Sequence, residues 1–233
     1  MIAHRGASAH VPENTLPAFT AAWAAGAVWV EADTQPTADG VPVILHDPDL
    51  GRTTSGSGPI RDVSARSLSS LDVHGLPGVR VPTLSELLDP LTPDRAVLLE
   101  IKGEHSRAEV TAVLETVRNC RHSDRVFLQS FEMAVLHHLR ALDPARSIGL
   151  LVEELDDDPV GRCAQLGATA YNPAKQAVLD NPGVVTQLRT ADIAVAVWTS
   201  DDPAEWDALT TAGVDAIITN TPAELLAWQA ARR

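Results

Sequence analysis

Two histidines and three carboxylates stand at the ends of short apolar runs in this 233-residue chain. His4 closes Met1-Ile2-Ala3 and is followed by Arg5 and Gly6, while His46 closes Val41 to Leu45. Glu31 and Asp33 alternate at the end of another run, and Glu100 ends Ala96 to Leu99, two residues before Lys102. On a strand, residues i and i+2 face the same way, so Glu31 and Asp33 point into one space. Two carboxylates about 4 Å apart repel by roughly 4 kcal/mol at an effective dielectric of 20, so three converging acids need a cation or protons. Oxygen ligands alone select a hard ion, Ca²⁺ or Mg²⁺. Two imidazoles beside such an ion, one neutral and one protonated, supply a base and an acid near neutral pH.

Arg5 and Lys102 would complete an anion site, Arg as a fork for phosphate oxygens and Lys as a point charge. With the three acids, a divalent ion and these two cations, the formal sum is one positive charge, which matches a singly charged phosphodiester. The same two cations could instead neutralise the acids with no metal. Within Pro12-Glu13-Asn14-Thr15, Asn14 is expected to cap the helix beginning near Thr15, with Pro17 in its first turn. Glu13 can reach back toward the His4 turn. Phe131 and Trp198 sit at strand ends, where an aromatic serves as core or as a substrate wall. The other six histidines, His10, His74, His105, His122, His137 and His138, read as solvated. Cys120 and Cys163 have neither metal-knuckle nor redox spacing and read as inert thiols.

Those side chains need a scaffold. Eight β-rich runs, Met1–His4, Val28–Asp33, Ala96–Lys102, Val126–Ser130, Ser147–Leu151, Ala168–Asn172, Ile193–Trp198 and Asp215–Thr219, alternate with helix-period segments such as Asn14–Ala25, Arg107–Val117 and Met133–Leu142. Strict alternation implies parallel strands, and eight of them close into a TIM-type (β/α)8 barrel. The rival, a doubly wound open sheet, lacks a glycine-rich first turn after Met1–His4. One break is expected after the second strand. Thr37-Ala38-Asp39-Gly40 signals a turn, and Val41–His46 should fold back antiparallel, with Thr34 opposite Val43 and Glu31 opposite His46. From Asp47 to about Pro82 the chain is rich in Ser, Gly, Arg and Pro, with a weak helical pattern at Ser64–Leu71. It reads as a small insertion over the C-terminal mouth of a single barrel domain spanning residues 1–233.

The composition, 45% hydrophobic and 21% charged, is that of a folded globular chain. A net charge of -13 argues against a nucleic-acid partner, because neutralising a phosphate backbone needs clustered Lys and Arg. The sequence has no apolar stretch of membrane-spanning length and begins directly in a strand, so a cytoplasmic location without stable membrane insertion is expected. Oligomeric state is not legible.

His4-Arg5-Gly6, Pro12-Glu13-Asn14-Thr15, Glu31-x-Asp33, Asp39-Gly40, His46-Asp47, Arg52-Thr53, Pro82-Thr83-Leu84, Glu100-x-Lys102, Ser130-Phe131, Trp198-Thr199 and Gly213-Val214-Asp215 together resemble the glycerophosphodiester phosphodiesterase family. The resemblance covers nearly the whole chain. It implies one Ca²⁺ or Mg²⁺ on Glu31, Asp33 and Glu100, an acid/base pair at His4 and His46, and hydrolysis of glycerophosphodiesters to sn-glycerol 3-phosphate and an alcohol. Arg5, Lys102, Glu13, Phe131 and Trp198 are the expected substrate contacts. The alternatives on this scaffold are a lysophospholipase D, a phosphoinositide-type phospholipase, or a phosphodiester-binding barrel without catalysis. Asn220 departs from the family pattern, which commonly has an acid after the last strand's Thr. That departure is expected to alter a peripheral contact and to leave the ion and the imidazoles untouched.

Overall fold

The computed structural model describes residues 1–232. Its strands in chain order are β1 (Ile2–Ala3), β2 (Trp29–Pro36), β3 (Pro42–Ile44), β4 (Asp72–Val73), β5 (Leu76–Arg80), β6 (Ala96–Ile101), β7 (Val126–Ser130), β8 (Ile148–Val152), β9 (Ala170–Pro173), β10 (Ala194–Val197) and β11 (Ala216–Thr219). The order β1-β11-β10-β9-β8-β7-β6-β2 is parallel throughout, and pairing of β1 with β2 closes the ring. Among the described residues the barrel therefore has the eight strands that the alternation implies.

Both faces of these strands are covered, which is why they read as unbroken apolar runs. On β6, Val97 and Leu99 join the layer between barrel and helices, while Leu98 meets Ile2 and Ile218 inside the ring. The helices are set by their caps. Ser106 and Glu109 form a reciprocal capping box at Arg107–Asn119, and Thr83 and Glu86 do the same at the short helix Leu84–Leu88 leading into β6.

The β2–β3 hairpin forms, but one residue out of the expected register: Thr34 faces Ile44, Gln35 faces Val43 and Pro36 faces Pro42. The loop is longer than a Thr37–Gly40 pair allows, because the Thr37 amide bonds to Val41 O at 3.1 Å and the Thr37 hydroxyl accepts from the Val41 amide at 3.1 Å. A slip of one exchanges the faces of a strand. Glu31 is accordingly not paired with His46. The ladder ends at Ile44, and the chain beyond is held by Gln35 Nε2, which donates to His46 O at 2.6 Å.

Residues after Asp47 pack on the hairpin through a small core of their own, built on Val43, Leu45, Leu50, Ile60, Leu68, Val73 and Val81. The helical pattern there shrinks to Ala65–Leu68, and β4 and β5 form an antiparallel pair. His105 is buried, against the expectation of a solvated ring. Arg61 of this segment lies across its loop, binding Glu104 O and the Glu109 carboxylate.

Candidate active site

The turn after β1 creates the first part of the site. Arg5 adopts a left-handed φ of 54° and Gly6 one of 85°. A Cβ on Gly6 would fall 2.6 Å from the Ala18 carbonyl carbon, so glycine is required for the turn to lie on the first helix. This tight turn aims the Arg5 amide at Glu31 Oε2 (3.0 Å) and its guanidinium at Asp33 Oδ2 (3.1 Å) and Glu13 Oε1 (2.8 Å).

Glu31, Asp33 and Glu100 are brought together. The register pairs Asp33 with Glu100, Glu31 lies two residues earlier on the same face, and one oxygen from each falls within 4.8 Å of the others. All three side chains are buried. Burial pushes the Glu31 carboxyl well above the ordinary carboxylate range, with the Asp33 charge adding to the effect and Arg5 opposing it. Burial and Asp33 carry Glu100 up to about 7 against the pull of Lys102, whose Nζ lies 3.0 Å from Glu100 Oε1. That oxygen makes no well-aligned hydrogen bond. Clustered buried carboxylates with an oxygen left over fit a hard divalent cation, and these three residues would hold it.

Asn14 is the residue the sequence most underrated. The helix Leu16–Ala24 is capped by Thr15, whose hydroxyl accepts from the Ala18 amide. Asn14 sits one residue earlier with φ 56°, a conformation Asn tolerates, and turns inward. Its Nδ2 donates to Asp33 Oδ2 at 2.8 Å and its Oδ1 accepts from the Asp33 amide at 3.2 Å. Asn14 thus holds one acid in place from below.

Both imidazoles reach the cavity, each tied back through Nδ1. His4 Nδ1 lies 2.7 Å from Asn220 Oδ1, and His46 Nδ1 lies 2.5 Å from Asp47 Oδ1. Asn220 is therefore no peripheral contact: it touches the first histidine. Its orientation follows from its other neighbours. Asn220 Nδ2 donates to Asp201 Oδ2 at 2.7 Å and its amide N–H donates to Asp201 Oδ1 at 2.7 Å. A carboxylate on Nδ2 leaves the amide oxygen to face His4 and accept its Nδ1 proton. Burial and the Arg5 charge lower the His4 pKa. Across the mouth, Arg52 bonds to both Asp47 and Glu13. The Arg52 hydrogen bonds hold Asp47 at about 2; burial would raise Glu13, but Arg52 and Arg5 outweigh it and hold that carboxyl at about 2.

The cavity so enclosed measures about 360 Å³. Lys102, Phe131 and Trp198 line it as expected, with the two rings edge to face at 5.5 Å and Lys102 Nζ 5.4 Å from the Phe131 centroid. Gln129, Leu151, Glu153 and Ile218 line it too, and sequence reasoning passed over them. For Gln129 the signal was period-2 spacing, because it shares a face with Phe131, whereas Leu151 and Glu153 share a face only with each other and no recognised position on β8 pointed to them. Among the described residues none from 47 to 82 lines the cavity; the insertion touches the site through Arg52.

A cavity at the carboxyl ends of barrel strands, with charged side chains gathered in it, is where this fold carries out chemistry. Its pairing of imidazoles with cations and buried acids is that of a phosphoric diester hydrolase. The comparisons with known proteins are specific: the model of the glycerophosphoryl diester phosphodiesterase family matches residues 4–224, and the chain belongs to that family. A glycerophosphodiester phosphodiesterase of Caldanaerobacter subterraneus subsp. tengcongensis is 30% identical, covering 97% of this chain and 96% of that protein. The structure of an Oleispira antarctica phosphodiesterase in complex with the product sn-glycerol-3-phosphate superposes with a TM-score of 0.92 at 27% identity, over 98% of this chain and 96% of that one. The glycerophosphodiester phosphodiesterase of Agrobacterium tumefaciens gives 0.85 at 29% identity, over 97% and 98%.

Proposed function

We propose that this chain hydrolyses glycerophosphodiesters to sn-glycerol 3-phosphate and an alcohol with one bound Ca²⁺ or Mg²⁺, His4 acting as general base and His46 as general acid. The observation that carries the reading is the convergence of Glu31, Asp33 and Glu100 in the cavity that both imidazoles enter. A divalent ion bound there supplies positive charge to the phosphoryl oxygens. Arg5 and Lys102 add positive charge to the same anion.

The two histidines separate by their partners. An amide oxygen on Nδ1 fixes the neutral tautomer of His4, with the lone pair on Nε2, and burial beside Arg5 disfavours its protonation. His4 Nε2 then takes the proton of the attacking oxygen. Asp47, itself held ionised by Arg52, lies 2.5 Å from His46 Nδ1 and accepts its proton, which fixes the ring and leaves Nε2 as the nitrogen that can serve the leaving group. His46 Nε2 then delivers its proton to the departing alkoxide.

The test is a panel of glycerophosphodiesters and a long-chain lysolipid, assayed in EDTA and then with Ca²⁺, Mg²⁺ or Mn²⁺ restored. Turnover of the water-soluble diesters that needs an added cation and falls at least about a hundredfold in His46→Ala is expected. Equal turnover in EDTA removes the ion, preference for the lysolipid moves the assignment to a lysophospholipase D, and no turnover leaves a binding barrel.

A further inference from the structure

Most of the charge in this cavity lies on one side. β1, β2 and β6, with the hairpin, bring His4, Arg5, Glu31, Asp33, Glu100, Lys102 and His46. The opposite wall, from β7, β8 and β10, carries only two polar side chains, Gln129, whose Oε1 accepts from Asn172 Nδ2 at 2.7 Å, and Glu153, its single charge. Glu153 follows β8 and stands two residues beyond Leu151, so it shares the inward face of that strand at the open rim. It is exposed, and among the described residues it forms neither an ion pair nor a hydrogen bond. An unpaired carboxylate repels the phosphodiester itself and attracts a cationic group brought to this wall.

Trp198 stands two strands away, directly after β10, with only β9 between. Two strand spacings put the two backbones roughly 10 Å apart. The indole is fixed, its Nε1 donating to Asn172 O at 2.8 Å and its ring meeting Phe131 at 86°. A rigid aromatic face and a free carboxylate on backbones so spaced suit an alkylammonium group, which approaches a ring centroid within about 6 Å. The rim position matters because the variable head group needs the open end of the cavity.

We propose that Glu153 and Trp198 form a subsite for a cationic head group, so that the enzyme prefers glycerophosphodiesters of choline or ethanolamine over those of a neutral polyol. This rests on the phosphodiesterase reading above. The experiment measures kcat/KM for glycerophosphocholine and for glycerophosphoglycerol with added divalent cation, in the wild-type protein, Glu153→Gln and Glu153→Lys. The wild-type ratio is expected to favour the choline ester by roughly tenfold, to fall close to one in Glu153→Gln and to invert in Glu153→Lys. Both substitutions lie at an exposed position, and far-UV circular dichroism confirms that the variants fold. A ratio that stays within twofold of wild type in both variants, including the case in which both esters slow together, overturns the subsite while the phosphodiesterase stands. Hydrolysis of neither ester by the wild-type protein removes the phosphodiesterase reading and the subsite with it.

Discussion

Replacing Glu100 by Gln separates the role of the acid trio from simple structural packing, because the two roles predict opposite changes in stability. In the folded chain without an ion, Glu100 titrates near about 7 where the ordinary value is 4.5, the consequence of burial first and of Asp33 second. At 1.36 kcal/mol per unit, the ionised form costs the fold about 3 kcal/mol. The sign follows from the direction of the shift. The penalty is absent below about pH 4.5, grows as pH rises, and is complete above about 7. At pH 8 in EDTA, Glu100→Gln is therefore expected to be more stable than wild type, by roughly 6–12 °C in Tm for a domain of this size. Adding Ca²⁺ or Mg²⁺ reverses the order. The wild-type protein, with its full ligand set, gains about 2.7 kcal/mol at a hundredfold excess over Kd, and the variant gains little. Differential scanning calorimetry at pH 5 and pH 8, with and without the cation, reads all four states. A Glu100→Gln protein that is less stable than wild type at pH 8 in EDTA, or that responds to the cation as strongly as wild type, would refute the electrostatic account.

Four further outcomes are expected. His46→Ala lowers kcat by roughly 10²- to 10⁴-fold with KM little changed, read from initial rates on glycerophosphocholine with the cation present. Asn14→Ala leaves Asp33 without its buried amide partner, costing roughly 1–3 kcal/mol in urea denaturation and weakening cation binding in calorimetric titration. Asn220→Ala frees the His4 ring and lowers kcat by about 10- to 100-fold, whereas a peripheral residue would leave kcat at the wild-type value. Gly6→Ala forces a Cβ to 2.6 Å from the Ala18 carbonyl carbon at a positive φ, and a loss of at least about 2 kcal/mol is expected from thermal unfolding.

Charge bookkeeping from the sequence is incomplete in an instructive way. The sum of one positive charge omits Glu13, Asp47 and Arg52, which form a connected chain along the mouth. Together they contribute one net negative charge and bring the local sum to zero. Arg5 is already held by Asp33 and Glu13, so it is oriented before any phosphate arrives. This is preorganisation of the kind that favours binding of the correct anion at little reorganisation cost.

Periodicity made the barrel and half of its site legible. Parallel strands buried on both faces must be apolar runs, and a charged residue ending such a run, as at His4, Glu31, Asp33 and Glu100, has nowhere to go but the carboxyl-end mouth. Strand alternation, a local rule, was enough to align those side chains. Contacts between residues far apart in sequence were another matter. Asn14 reads as a helix cap because capping is its commonest local use, and only the packed barrel shows Thr15 taking that role while Asn14 turns to Asp33. Asn220 reads as a rim substitution until ring closure between β1 and β11 brings it to His4, 216 positions away. The hairpin register likewise turned on one side chain, the Thr37 hydroxyl bonding the Val41 amide, which lengthens the loop by a residue. A sequence carries each residue's chemistry and its nearest periodic neighbours, whereas closure of the barrel decides which distant polar group satisfies a buried one.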